Sequence, residues 1–228
     1  MLTGQTTQHL CTKSEAEQIG AQIHREAVEP FLRLREAARD SGFDLRILSG
    51  FRSFDHQLSI WNRKASGKLC VLDSDALPLD IAKLSETELM FAILRWSALP
   101  GASRHHWGTD IDVYDVAARP EGYEIQLVPD EVNPGGIFGP LHEWLDRRIT
   151  AGTSFGFFRP YDQDRGGVAP ERWHLSYAPL ASQFLDLLTI DILREAVSSA
   201  EIELKSVVLQ SLREIYDRFV AGMSRRLT

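Results

Sequence analysis

Residues 103–115 read SRHHWGTDIDVYD. In its second half Ile111 and Val113 fall on one side of an extended chain and Asp110 and Asp112 on the other. That period of two predicts a half-buried strand whose polar face lines a cleft. A carboxylate removed from water needs a cation or several donors, so something must meet these aspartates. The preceding HHWG supplies imidazole, and Gly108 lets the chain turn so that a histidine comes back over the strand. Either His105 or His106 can play that part.

A second stretch, PERWHLSYAP at 170–179, carries the complement. As a strand it sends His174 and Ser176 to one side and Trp173, Leu175 and Tyr177 to an apolar back. Two histidines and one carboxylate make a three-ligand Zn²⁺ site with a position left for water. Glu171, three residues before His174, is placed to take a proton from that water. This is a hydrolase layout. The other histidines have blander readings: His9, His24 and His142 as satisfied or solvated side chains, and His56 as a surface or supporting group. Asp115 reads as the residue that caps or solvates the strand end.

Working outward, SEAE at 14–17 and SSAE at 198–201 have the capping-box pattern that opens a helix. Pro30 suits the first turn of a second helix that Gly42 ends. DLRILSG alternates Leu45 and Ile47 against Arg46 and Leu48, a strand running into a Gly turn. Helical spacing follows in FDHQLSIWNRKA, SETELMFAILRW and FGPLHEWLDRRI. Residues 68–80 read as a loop or small hairpin, and a short strand is expected over 123–128. A last helix carries Leu204, Val208, Leu212, Ile215 and Phe219 as one stripe, packed on the body of the domain or forming a dimer face. The sum is α+β: a small, mostly antiparallel sheet flanked by helices.

The chain has 228 residues, 43% of them hydrophobic, enough for a core without added staples. With a net charge of −7 and no basic block, nucleic acid is not an expected partner. No run approaches the roughly 18 apolar residues of a membrane span, and no basic-then-apolar leader opens the chain. The expectation is a cytoplasmic protein, with wall-side action if a signal was removed. Cys11 and Cys70 are read as free thiols.

Three motifs then resemble one family. SRHHWGTDID is similar to S-x-H-x-x-G-x-x-x-D, ERWH to E-x-W-H, and SGFRSFDHQ to S-G-[YF]-R-S-x-x-x-Q, in the same order along the chain. These are the marks of the VanY-type D-alanyl-D-alanine carboxypeptidases, zinc peptidases related to VanX and the hedgehog fold. The resemblance implies Zn²⁺ held by His105 rather than His106, by Asp112 rather than Asp110 or Asp115, and by His174. It implies Glu171 as general base, Arg52 facing a terminal carboxylate, and Gln57 and Ser103 helping to hold substrate. Many relatives have a small residue where Asp110 stands; here it either orients a ligand imidazole or competes as a ligand. The implied domain spans 1–180, with a helical extension over 181–228 packed on it. The implied partner is a peptidoglycan stem peptide or muropeptide, trimmed at its C-terminal D-alanine. Alternatives are a cell-wall endopeptidase, a D-Ala-D-Ala dipeptidase, or a zinc-holding binding module; a module would need neither Glu171 nor Arg52.

Overall fold

A computed structural model of the chain describes residues 1–223. In chain order the elements are α1 (Lys13–Ile19), α2 (Val28–Asp40), β1 (Leu45–Ser49), α3 (Phe54–Ala65), α4 (Glu86–Trp96), β2 (Asp110–Asp115), α5 (Pro129–Val132) and α6 (Gly139–Thr150). There follow β3 (Phe157–Phe158), β4 (His174–Tyr177), α7 (Ala178–Leu187), α8 (Ile190–Ser199), α9 (Lys205–Gln210) and α10 (Leu212–Ile215). The four strands form one antiparallel sheet in the order β1-β2-β4-β3. The fold is α+β.

Strand parity divides this sheet into a dry face and a polar face. Leu45, Ile47, Ile111, Val113 and Leu175 point to one side, where Phe31 and Leu34 of α2 and Leu141 and Leu145 of α6 bury them. The opposite side carries Asp110, Asp112, His174 and Ser176, all of them buried. A second core joins Trp61 of α3 and Met90, Ile93 and Leu94 of α4 to Leu193, Val208, Leu212 and Ile215 of the C-terminal helices. The stripe beyond 200 therefore packs on the body of the molecule. Cys11 and Cys70 are both free.

Local expectations shift in four places. Thr12, not Ser14, caps α1, because Thr12 and Glu15 form the reciprocal pair two residues earlier. SSAE marks an end instead of a start: Ser199 closes α8 with its hydroxyl donating back to Glu195 O, 2.9 Å away. The final helix is broken into α9, α10 and a π turn over Tyr216–Val220, with Leu204 left-handed (φ 62°) before it. Residues 123–128 form no strand; the backbone N–H groups of Gln126 and Val128 go to the buried carboxylate of Glu131. The 68–80 segment is a small hairpin, with Leu72 bridging Pro78.

Candidate metal centre

Register brings the polar groups together. Asp112 stands opposite His174 and Asp110 opposite Ser176 across β2 and β4, so these side chains project from one face a few ångströms apart. A bulge between Ile47 and Ser49 sets Ser49 against Asp112 at the end of β1, bending the strand where the cleft begins. His105 arrives from a 3-10 turn, Arg104–Trp107, which Gly108 closes at φ 69°. A Cβ on Gly108 would sit 2.7 Å from the backbone nitrogen of His24, so only glycine makes this turn.

His105 Nδ1 meets Gly50 O at 2.8 Å, and its Nε2 lies 3.3 Å from Asp112 Oδ2. His174 Nε2 donates to Asp110 Oδ1 at 2.9 Å, and its Nδ1 lies 3.3 Å from Asp112 Oδ1. One ligand atom from each of His105, Asp112 and His174 lies within 4.8 Å of the others, and all three residues are buried. Asp112 Oδ1 is buried yet makes no hydrogen bond among the described residues. Two ring nitrogens and an orphaned carboxylate oxygen converging on one point suit a tetrahedral cation with a free position.

The electrostatics agree. Burial opposes ionisation of Asp112, but His105 and His174 overcome it and hold the carboxyl well below the ordinary range. Burial likewise opposes a charge on His174, and Asp110, Asp112 and Glu171 drive its value well above that of a free imidazole. Three carboxylates around one ring create a potential that favours positive charge at this point.

Asp110 does not line up as a ligand. Its Oδ1 receives Arg104 Nε at 2.7 Å as well as His174, and its Oδ2 receives Thr109 Oγ1 at 2.7 Å. The Arg104 guanidinium is buried against Trp107 and also donates to Ser176 Oγ at 2.5 Å. Asp110 thus fixes the tautomer and tilt of His174. Sequence reading missed Arg104, although it flanks the histidines; the parity of Ser176 with His174 was its only trace.

Glu171 Oε2 lies 3.4 Å from His174 Nδ1, at the edge of the cluster. The turn that carries it is clamped by its neighbour: Arg172 donates to Asp146 Oδ2 and to Val132 O, each at 2.5 Å. Asp146 also receives Arg159 Nε at 2.8 Å, so α6 anchors the turn. Trp173, expected beside Leu175 and Tyr177, precedes β4 and instead packs with Val132 and Phe138.

Arg52 reaches the same cleft, of about 250 Å³, together with Ser103, His105, Asp112, Glu171 and His174. Its guanidinium donates to Gln57 Oε1 at 3.0 Å and Ser49 Oγ at 3.1 Å, both neutral, and has no acidic partner among the described residues. Gln57 lies behind it, fully buried, with Nε2 donating to Ala98 O at 2.7 Å. It touches the guanidinium and not the cleft. The lining also includes Leu127, held left-handed at φ 54° in the loop that Glu131 gathers.

The remaining histidines lie elsewhere. His106 points away, donating from Nδ1 to Arg52 O at 2.6 Å and accepting Gly101 N at Nε2. His9, His24 and His142 are buried, not solvated, and both ring nitrogens of His9 lack a side-chain hydrogen-bond partner among the described residues. His56 is exposed on α3. Asp115 caps the strand end, accepting the N–H groups of Asp44 and Ala117. No helix among the described residues is long and apolar enough to cross a membrane.

Comparison with known proteins meets this geometry. The profile of VanY, D-alanyl-D-alanine carboxypeptidase, matches residues 20–180. A protein of Haemophilus influenzae without assigned activity is 33% identical over 124 residues, 54% of this chain and 92% of its own. The D-alanyl-D-alanine carboxypeptidase of Enterococcus faecalis is 28% identical over 155 residues, 66% of this chain and 46% of that protein, so the match spans under half of the relative. Among solved structures, VanYB in complex with D-alanine-D-alanine superposes with a TM-score of 0.52 at 21% identity, over 86% of this chain and 92% of that one. The vancomycin resistance D,D-pentapeptidase VanY in complex with Zn(II) gives 0.51 at 22% identity, over 79% and 86%. These two likenesses speak to the fold; the profile, covering well over half of the chain, speaks to descent. The chain belongs to the VanY D-alanyl-D-alanine carboxypeptidase family.

Proposed function

We propose that this chain is a zinc-dependent carboxypeptidase that removes the C-terminal D-alanine from peptidoglycan stem peptides, whether as free muropeptides or on intact wall. The observation that carries this reading is Arg52: a guanidinium at the cleft wall, beside the three-ligand cluster, with only neutral partners. A planar fork of this kind receives a carboxylate bidentately, and a free terminal carboxylate is what separates an end-trimming enzyme from one that cuts within a chain. The name of the Enterococcus faecalis relative and the ligand of VanYB support the same substrate class.

His105, Asp112 and His174 would hold the zinc. When bound, zinc there supplies a Lewis acid that polarises the scissile carbonyl and acidifies water. Glu171, at the edge of the cluster, accepts the proton of the attacking water at its carboxylate and returns it to the departing amine. Arg52 orients the peptide by its end, and Gln57 and Ser49 hold the guanidinium flat for that contact. Ser103, buried at the cleft wall, is placed to hydrogen-bond the peptide backbone.

The test is incubation of zinc-loaded protein with stem peptides ending in D-alanine, as free acids and as C-terminal amides, read by mass spectrometry. Loss of one alanine from the acids, with the amides nearly inert, is expected. Arg52→Lys is expected to forfeit most of kcat/KM on the acids, roughly 2–5 kcal/mol of recognition. Equal cleavage of acid and amide, or cuts inside the peptide, would replace this reading with the endopeptidase one.

A further inference from the structure

The cleft contains one more cation that the reaction does not use. Gln57, Ile60 and Lys64 succeed one another along a single face of α3, at the spacing of neighbours on a helix. Gln57 backs Arg52, whereas Ile60 and Lys64 line the cleft itself. Lys64 is partly buried while the adjacent Arg63 is exposed. Both stand in the last turn of α3, where the helix dipole welcomes positive charge. The dipole accounts for a cation at this end; it does not account for Lys64 turning inward when solvent is open to its neighbour.

The charges of the cleft leave Lys64 over. Asp112 and Glu171 face the imidazoles, and Arg104 is paired with Asp110. Arg52 and Lys64 are the two lining cations without an acidic partner within ion-pair distance among the described residues. Burial holds the Lys64 ammonium below the ordinary lysine range, against the opposing pull of Cys70 and Glu171. An ammonium so placed gains from a desolvated anion more than a surface lysine does.

We propose that Lys64 is a specificity residue that receives a second carboxylate of the substrate, on the acyl side of the scissile bond. This rests on the carboxypeptidase reading above. If Arg52 takes the terminal carboxylate, the departing D-alanine has no further anion to offer, because its side chain is a methyl group. The second carboxylate must then belong to the part of the peptide that stays behind.

Four N-acetylated peptides, all ending in D-alanyl-D-alanine as the free acid, test this. They form two pairs, glutamyl against glutaminyl, at the third and at the fourth residue from the end. Wild-type kcat/KM is expected to favour the glutamyl member of one pair about tenfold, the worth of one charge-assisted contact. Lys64→Gln should bring that ratio to about one, and Lys64→Arg should keep it. A wild-type ratio near one in both pairs overturns the proposal, as does a ratio that survives Lys64→Gln. A uniform loss across all four peptides would make Lys64 a group acting at the reacting atoms, which also overturns it. If none of the four is cleaved, the carboxypeptidase reading fails first and takes this one with it.

Discussion

Asp110 and His174 are joined by a 2.9 Å hydrogen bond from ring Nε2 to Oδ1, and Asp112, two residues along the same strand, lies 3.3 Å from the other ring nitrogen. The imidazole is thus held between two carboxylates that share a strand face, one as support and one as the proposed fellow ligand. Asp110→Asn removes the charged acceptor while keeping shape. Such supporting groups are worth roughly 10- to 100-fold in metal affinity, and zinc competition against a chelator should register a loss of that size. Unchanged affinity would reduce Asp110 to a counter-charge for Arg104.

The adjacent histidines should separate cleanly. His105→Ala removes a proposed ligand and is expected to abolish tight zinc binding. His106→Ala should keep one zinc per chain but lose about 2–4 kcal/mol of stability, because Gly101 N and Arg52 O are left unpaired around a cavity. Metal analysis and denaturant melts on the two variants check this; equal metal loss in both would undo the ligand set.

Glu171→Gln preserves volume and can still hydrogen-bond, but it cannot accept the proton of water at neutral pH. Zinc content is expected to remain full and kcat to fall by roughly 10²–10⁴. Near-normal turnover would assign the proton transfer to another carboxylate.

Behind Phe51, His9 makes stability depend on pH. Burial, helped by the neighbouring His24 ring 5.7 Å away, lowers its pKa from 6.5 to about 4. A base whose folded value is depressed binds protons more readily when unfolded, so its contribution is whole above 6.5 and lost as pH falls towards 4. The Tm of wild-type protein should therefore drop across that window, and His9→Phe should flatten the slope. An equal slope in the variant would place the acid sensitivity elsewhere.

Much of the candidate site is legible along the chain. Period-two alternation puts Asp110 with Asp112 and His174 with Ser176, and SETE announces the cap of α4, because both signals depend only on near neighbours in sequence. The motifs around His105, Glu171 and Arg52 are likewise short enough to read in one dimension. The C-terminal stripe shows which residues are buried but not where the helix breaks: the apolar count survives a break at Ser211.

What only the tertiary structure decides is who faces whom. The pairing of Arg104 with Asp110, the retreat of Gln57 behind Arg52, the loss of the 123–128 strand to the Glu131 carboxylate and the inward turn of Lys64 have no periodic trace. Each is a contact between a side chain and a group whose place is set by packing, by strand register or by another buried charge. Local sequence determines which face of an element is polar. The register of β2 against β4 and the burial around it determine which atoms that face meets.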